Sequence, residues 1–149
     1  MIKFIKTDSV NADFIQLVKL LDDDLKIRDG EDHDFYNQFN NIEILKHVIV
    51  AYYNEKPVGC GAFKKFEKEA VEIKRMFVLP EVRGKQIGTK ILIALEEWAQ
   101  EICYKQIVLE TGVNMPEAIG LYSKMGYKSI PNYGQYKNVP TSICFKKML

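Results

Sequence analysis

The residues with the clearest chemical potential lie between Arg83 and Gly88, where the sequence RGKQIG combines two glycines with two cations. An apolar pattern typical of a helix begins at Ile87 and repeats at offsets of three and four up to Ile102. A helix that begins there directs unpaired backbone N–H groups and its positive dipole end into the turn, and glycine allows a ligand close to the backbone. The segment therefore predicts an anion cradle at a helix N-terminus.

Two other phosphate-binding motifs do not fit this segment. A P-loop requires glycine where Leu79 stands and Ser or Thr where Gln86 stands. A dinucleotide fingerprint requires its second glycine at the position of Gln86 as well. Acidic residues, which usually favour a first helical turn, are also missing between Val82 and Leu95. A bound anion would supply the missing negative charge.

A strand precedes the cradle. Residues 71–78 are rich in β-branched and aromatic side chains, which suit a half-buried strand. Pro80 ends this strand, because proline cannot donate a hydrogen bond to a sheet and biases the residue before it towards extended geometry.

This strand, turn and helix resemble the acyl-CoA signature of the GNAT superfamily of N-acetyltransferases, [RQ]-x-x-G-x-[GA]. Arg83 and Gly88 match this signature, whereas Gln86 stands where the family usually has glycine. A second segment, residues 114–127, resembles the family's N-x-x-A-x-x-L-Y-x-K-x-G-F segment, with one extra residue between Asn114 and Ala118. Two segments in the family's order are more specific than either alone.

The predicted element order is β-α-α-β-β-β-α-β-α-β-β, an α/β (α+β) mixed sheet with helices on both faces. The resemblance implies a GNAT-like acyl-CoA N-acyltransferase fold with a splayed central sheet. The strands that end at Val78 and Glu110 would separate to leave a slot for the pantetheine arm. One N-acetyltransferase domain over residues 1–149 is expected.

Several elements are predicted from local patterns. Residues 2–6 predict an edge strand, followed by a helix capped by Ser9 or Asn11. The acidic run at residues 22–24 predicts a solvated helix face. Residues 47–66 predict a hairpin that turns at residues 54–57. Closing strands at 127–130 and 141–146 would flank a long irregular loop.

The resemblance implies acetyl-CoA as co-substrate and no metal. Its binding residues would come from the strand end, the cradle and the second segment. They are Met76, Phe77, Val78, Arg83, Gly84, Lys85, Gln86, Ile87, Gly88, Thr89 and Asn114. Asn114 would bond the pantetheine amides, with a loop-turn asparagine as the alternative.

Aminolysis of a thioester needs a neutral amine, a polarised carbonyl and a proton for the departing thiolate. Glu72 matches the position of the general-base glutamate in histone-acetylating relatives, while a solvent-facing strand residue is the alternative. In small-molecule acetyltransferases the position of Glu72 often works through water. Glu110, at the end of the next strand, is the second candidate base. Tyr122 coincides with the family's general-acid position, with a core-filling tyrosine as the alternative. A backbone N–H near Phe77 or Val78 would polarise the carbonyl.

Residues 29–39 combine carboxylates with aromatic rings, which suit a cationic amine, although a polar loop docked on the core fits equally well. The closing loop would present two further tyrosines. The predicted substrate-binding residues are Asp34, Phe35, Tyr36, Tyr133 and Tyr136.

Composition and charge limit the other functions that the sequence could have. The chain has 149 residues, a formal net charge of +1 and 28% charged residues, so a nucleic-acid partner has no electrostatic basis. Cys60, Cys103 and Cys144 predict reduced, buried thiols. The absence of a signal segment or a long apolar run predicts a cytoplasmic protein without a membrane partner. The resemblance leaves a homodimer open.

The sequence thus predicts an acyltransferase that transfers groups other than aminoacyl groups. The expected reaction moves acetyl from acetyl-CoA to the primary amine of a small molecule, by direct attack in a ternary complex. Two alternatives remain at this point, a protein lysine or N-terminal acetyltransferase and a non-catalytic acyl-CoA-binding module.

Overall fold

The computed structural model describes residues 1–30 and 44–149. The predicted second helix before the second strand, and the predicted substrate residues Asp34, Phe35 and Tyr36, lie outside the described residues. The strands and helices that the structure describes are β1 (Ile2–Thr7), α1 (Ala12–Asp29), β2 (His47–Tyr53), β3 (Lys56–Glu67), β4 (Ala70–Val78), α2 (Ile87–Glu101), β5 (Gln106–Gly112), α3 (Pro116–Lys124), β6 (Lys128–Ile130) and β7 (Ser142–Met148), with short 3-10 turns at Pro80–Val82 and Gly134–Tyr136.

The seven strands form one sheet in the order β1-β2-β3-β4-β5-β7-β6. Its neighbouring strands are antiparallel except β4 and β5, which are parallel. These two strands pair only where residues 70–72 face residues 106–108. Their remaining lengths, up to Val78 and Gly112, are not paired with each other. The predicted splay of the central sheet is therefore confirmed.

A β-bulge in β4 accompanies the separation of the strands. The register between β3 and β4 shifts at Gly61, which faces both Arg75 and Met76. Arg75 has a φ of 59°, unusual for a residue with a side chain, and its guanidinium donates to Asp22 of α1 at 2.7 Å. A bulge adds a residue to one strand and bends it, which redirects the end of β4 away from β5.

The helices begin and pack largely as their sequences predict. Asn11 caps α1, since its Oδ1 accepts the N–H of Phe14 at 2.9 Å. Most of the apolar face of α2 is buried and packs on β2, β3 and β4, although Ile102 at its end is exposed. Among the described helices, none is long and apolar enough to cross a membrane.

Some local predictions were wrong. The hairpin turns through only two residues, Asn54 and Glu55, both with positive φ, so β3 already begins at Lys56. The acidic run is not simply a solvated face, because Asp22 pairs with Arg75 of β4.

One of the three cysteines also departs from the prediction. Cys103 is exposed, because it lies in the turn after α2 with a φ of 75°, whereas Cys60 and Cys144 are buried. All three cysteines are free.

Candidate active site

The turn before α2 leaves its helix N-terminus open. Gln86 is the N-cap in a left-handed conformation, with φ 61° and ψ 26°, and its side chain makes no capping hydrogen bond. The Lys90 N–H donates to the Gln86 carbonyl at 3.1 Å. The three preceding N–H groups, at residues 87–89, have no acceptor within the helix, and the first turn has no acidic residue. This geometry suits an anion.

A cavity of about 240 Å³ opens from this turn, and we call it the cradle cavity. It runs from the α2 N-terminus along the end of β4 towards α1 and α3. Its lining residues are Leu21, Asp24, Met76, Phe77, Val78, Arg83, Gly84, Gln86, Ile87, Gly88, Thr89, Met115, Glu117, Ala118, Leu121 and Tyr122. Polar N–H groups at one end and apolar walls beyond suit a phosphate that continues into an extended chain.

Nine of the eleven residues predicted to bind the co-substrate line this cavity, and Lys85 and Asn114 do not. The Lys85 ammonium lies 5.2 Å from the centre of the Tyr53 ring. The Asn114 amide donates to the Arg28 carbonyl at 3.1 Å. A role for these two residues stays a prediction.

A second cavity, of about 110 Å³, adjoins the cradle cavity on the side of β5. Its lining residues are Leu21, Leu25, Asp29, Glu72, Ile73, Lys74, Arg75, Met76, Glu110, Thr111, Gly112, Met115, Ala118, Tyr122 and Tyr136. Leu21, Met76, Met115, Ala118 and Tyr122 line both cavities. The splayed strands therefore expose two adjacent spaces that meet beside Tyr122.

Tyr122 occupies the junction of the two cavities. It is buried, and its ring lies 5.7 Å from that of Tyr127 and 6.1 Å from that of Phe145. Burial raises the pKa of the Tyr122 phenol, and the charge of Glu110 raises it further. The hydroxyl therefore keeps its proton at neutral pH and can donate it. Tyr122 both packs in the core and lines the cavities.

Glu72 is buried in the second cavity, with 4% of its surface exposed, and is not a solvent-facing strand residue. The Tyr133 hydroxyl donates to Glu72 Oε2 at 2.6 Å. The Lys74 ammonium lies 3.8 Å from Glu72 Oε1. Both carboxylate oxygens thus already face a donor or a cation.

Glu110 lines the same cavity in a different setting. Burial raises the pKa of its carboxyl to about 7, against a hydrogen bond with Ser142 and the charge of Lys74, which lower it. The charges of Glu72 and Asp29 raise it further. Among the described residues, no hydrogen-bond donor reaches Glu110 Oε2, although this atom is buried. A carboxyl group with a pKa near neutrality is suited to proton transfer.

The two tyrosines of the closing loop have different positions. Tyr136 is buried and lines the second cavity. Tyr133 is not among the lining residues, but its ring packs 4.8 Å from Phe66 and its hydroxyl holds Glu72. Tyr133 therefore acts on the cavity through Glu72.

Arg28 joins α1 to the start of α3 through its contacts with Asp24 and Glu117. Its guanidinium lies 3.1 Å from Asp24 of its own helix and 2.5 Å from Glu117 at the start of α3. It also donates to the Asn114 carbonyl at 3.3 Å. These contacts hold the end of α1, with Leu21 and Asp24, against the cradle cavity.

Sequence reasoning missed several lining residues. Leu21, Asp24 and Met115 give no local signal, because they reach the cavities only through the packing of α1 and α3. Lys74 did give a signal, since it stands two residues after Glu72 and so shares its face of β4.

Among the described residues, no group of three or more His, Cys, Asp or Glu side chains is arranged to hold a metal ion.

Comparison with known proteins gives the family. The model of the Acetyltransferase (GNAT) family matches residues 14–127. The chain belongs to the GNAT family of acetyltransferases. It is an acyltransferase that uses acetyl-CoA, and the cradle cavity, with its open helix N-terminus and apolar continuation, fits this co-substrate.

Among curated relatives of this GNAT protein, an IAA acetyltransferase from Azospirillum brasilense is 38% identical over 102 residues, which are 68% of this chain and 67% of the relative. YjgM of Escherichia coli, an uncharacterized N-acetyltransferase, is 33% identical over 84 residues, which are 54% of this chain and 50% of the relative. The chain thus spans about half to two thirds of the length of these curated relatives.

Solved structures agree on the fold. An acyl-CoA N-acyltransferase from Klebsiella pneumoniae aligns with a TM-score of 0.82 and 28% identity, covering 100% of this chain and 98% of the other. A GNAT family acetyltransferase from Elizabethkingia anophelis with acetyl-CoA bound aligns with a TM-score of 0.71 and 20% identity, covering 99% of this chain and 98% of the other.

Proposed function

We propose that this protein transfers an acetyl group from acetyl-CoA to the primary amine of a small molecule, by direct attack within a ternary complex. The observation that carries the proposal is the pair of adjacent cavities that meet at Tyr122. The cradle cavity takes the acetyl donor, and the smaller cavity takes the acceptor. Both reactants can then be held at the same time.

The acetyl donor is held by the α2 N-terminus. The free N–H groups at residues 87–89 bind the diphosphate, and Gly84, with a φ of 90° and open space around it, allows close approach. Arg83 adds a positive charge at the cavity mouth. When bound, acetyl-CoA supplies a thioester carbonyl for the amine to attack.

Glu110 accepts the proton of the acceptor amine. Its carboxyl, with a pKa of about 7 and an unpartnered buried oxygen, is better placed for this step than Glu72. Glu72 instead holds Tyr133 and Lys74 in position. Glu72 was the leading candidate for the base from the sequence. Substitution of each carboxylate in turn distinguishes the base from the residue that positions Tyr133 and Lys74.

Tyr122 donates its phenolic proton to the departing thiolate sulfur. Its raised pKa keeps the phenol protonated at neutral pH, so the proton is present when the C–S bond breaks and negative charge develops on the sulfur. A backbone N–H near Phe77 or Val78, on the part of β4 that β5 leaves unpaired, polarises the thioester carbonyl.

The proposed reaction does not pass through an acetylated cysteine. Cys60 is fully buried, its thiol donates to the Arg75 carbonyl at 3.3 Å, and burial raises its pKa to about 12. A thiol in that state is a poor nucleophile. Detection of an acetylated Cys60 or Cys103 by mass spectrometry after single turnover would contradict direct attack.

A small-molecule acceptor is favoured over a protein lysine. The second cavity is small, and Tyr136 lines it while Tyr133 covers Glu72. The name of the Azospirillum brasilense relative, IAA acetyltransferase, also supports a small-molecule acceptor.

A thiol-release assay with acetyl-CoA tests the proposal. The panel contains polyamines, amino acids, aminoglycosides and lysine peptides. We expect release with at least one small amine and none above background with peptides. Preferential release with lysine peptides would support a protein acetyltransferase, and no release with any amine, despite acetyl-CoA binding, would support a non-catalytic module.

A further inference from the structure

The charged groups of the second cavity are unevenly paired. Arg75 is committed to Asp22 at 2.7 Å, and Glu72 accepts from Tyr133 at 2.6 Å. Asp29, Lys74 and Glu110 also line this cavity. Of these, Glu110 has a buried oxygen without a hydrogen-bond donor among the described residues, and Lys74 has only a distant ion pair with Glu72, at 3.8 Å.

Lys74 is a buried ammonium with donors in excess. Its side chain is 8% exposed, and its nearest charged partner, Glu72 Oε1, is 3.8 Å away, beyond hydrogen-bond distance. Lys74 lines the second cavity, the space in which the acceptor would lie. An ammonium has three N–H donors, and buried donors are normally satisfied. The Lys74 donors are therefore available to an anion in the cavity.

Glu110 provides the opposite charge on the neighbouring strand. Its Oε2 is buried without a hydrogen-bond donor in the described part of the chain. The charge of Lys74 is felt at Glu110, so the two groups act within one small space. A ligand that places a cation at Glu110 and an anion near Lys74 complements both.

We infer that the acceptor is a compact amine that carries an acidic group, such as a carboxylate, near its nitrogen, with Lys74 binding the acid and Glu110 facing the amine. The inference rests on the proposed function and names the substrate class of that site. A diamine would place a second cation against Lys74. An amine without an acidic group would offer no negative charge to the Lys74 ammonium.

The test compares acceptors that differ only in charge. Short α- and β-amino acids are paired with their carboxamides, which have nearly the same size, and with diamines of matched length. We expect kcat/KM for at least one acid to exceed that of its carboxamide about tenfold or more, since tenfold corresponds to about 1.4 kcal/mol.

Variants assign the preference to Lys74. Lys74→Met should bring the acid-to-carboxamide ratio close to one, mainly by raising KM for the acid, whereas Lys74→Arg should keep a preference. Lys65→Met makes the same chemical change on β3 at an exposed position outside the cavity, and should keep the wild-type ratio.

The outcomes separate this inference from the proposed function. If carboxamides or diamines are acetylated as well as the acids, the inference is overturned while the acetyltransferase stands. An unchanged ratio in a folded Lys74→Met variant also overturns it. Failure of every amine in the panel would instead overturn the proposed function. If Lys74→Met does not fold, the acid-to-carboxamide ratio of the wild-type protein and of Lys74→Arg still tests the inference.

Discussion

Glu72 and Glu110 line the same cavity, and their surroundings differ. Glu72 is held by Tyr133 and faces Lys74, whereas Glu110 keeps a buried oxygen without a donor among the described residues. We expect Glu110→Gln to lower kcat by about 10²–10⁴-fold, the usual contribution of a general base. Glu72→Gln keeps an acceptor for the Tyr133 hydroxyl and should lose less than about tenfold.

Steady-state kinetics at saturating acetyl-CoA measure both variants, and calorimetric affinity for acetyl-CoA serves as the control for folding. A larger loss of kcat in Glu72→Gln than in Glu110→Gln would return the base to Glu72.

The pH dependence of kcat/KM should follow the ionisation of Glu110. A base must be deprotonated to act, and the Glu110 pKa is raised to about 7, so kcat/KM should rise with pH through about 7 and level off above it. The groups that act on this carboxyl are Asp29, Glu72, Lys74, Tyr122, Tyr136 and Ser142.

The measurement is a pH profile of kcat/KM with an acceptor whose own ionisation is corrected for. A profile that is flat between pH 6 and 8, a range of about one unit on either side of the Glu110 pKa, would contradict Glu110 as the base.

The candidate residues of the site could be predicted from the sequence, but the surroundings that distinguish the two candidate bases could not. Tyr122 and Glu110 stand at recognisable positions in a segment and at a strand end. Which carboxylate keeps a free oxygen depends on Tyr133, a loop residue 61 positions from Glu72 in the chain. No local pattern encodes that contact.

At the scale of elements, the junction of β4 with α2 positions the cradle. Gln86 adopts φ 61° in the last residue before the helix, where the family usually has glycine. A left-handed conformation costs a residue with a side chain about 1–2 kcal/mol, which glycine avoids.

We therefore expect Gln86→Gly to unfold no earlier than wild type and to bind acetyl-CoA at least as tightly. Gln86→Val, which is β-branched, should lower the free energy of unfolding by about 1 kcal/mol or more. Chemical denaturation of the wild type and the two variants gives the order of their stabilities. A Val variant as stable as the Gly variant would show that the turn does not require a left-handed conformation at residue 86.

The junction itself was predictable because its signals are local. Pro80 ends β4, and the apolar period of α2 begins at Ile87, as the structure confirms. The bulge at Arg75 was not predicted, since its cause is the pairing of β4 with β3 and the contact of Arg75 with Asp22 on α1. The splay was known only through the family resemblance.

At the scale of the whole molecule, side chains of α2 pack closely against Gly61 of β3, which lies opposite the bulge in β4. A Cβ on Gly61 would lie 2.5 Å from Met76 Sδ and 2.9 Å from both Ile91 and Leu95. We expect Gly61→Ala to lower the free energy of unfolding by about 1–3 kcal/mol, because overpacking forces neighbouring side chains to shift.

Gly120→Ala is the matched control, since it adds the same methyl group to α3 with no atom within 4 Å. Alanine favours a helix over glycine, so this variant should be stabilised by about 0.5–1 kcal/mol. Urea denaturation compares the two. Equal stability of Gly61→Ala and wild type would mean that the packing around Met76 is looser than the structure shows.

The order of the described strands and helices along the chain could be predicted from the sequence pattern, but the position of β7 between β5 and β6 and the composition of the cavities could not. Lys74, Leu21 and Asp24 meet there because α1, α3 and β4 pack together. Such contacts join residues far apart in the chain, and only the folded structure brings them together.

The central claim is that acetyl-CoA binds at the N-terminus of α2, and isothermal titration with acetyl-CoA tests it most directly. Gly84→Glu places a side chain and a negative charge where the diphosphate should lie, and the account predicts loss of measurable binding. Gly134→Glu, also at a positive φ in open space but away from the cradle cavity, should bind as wild type does. Binding retained by a folded Gly84→Glu variant would contradict the account.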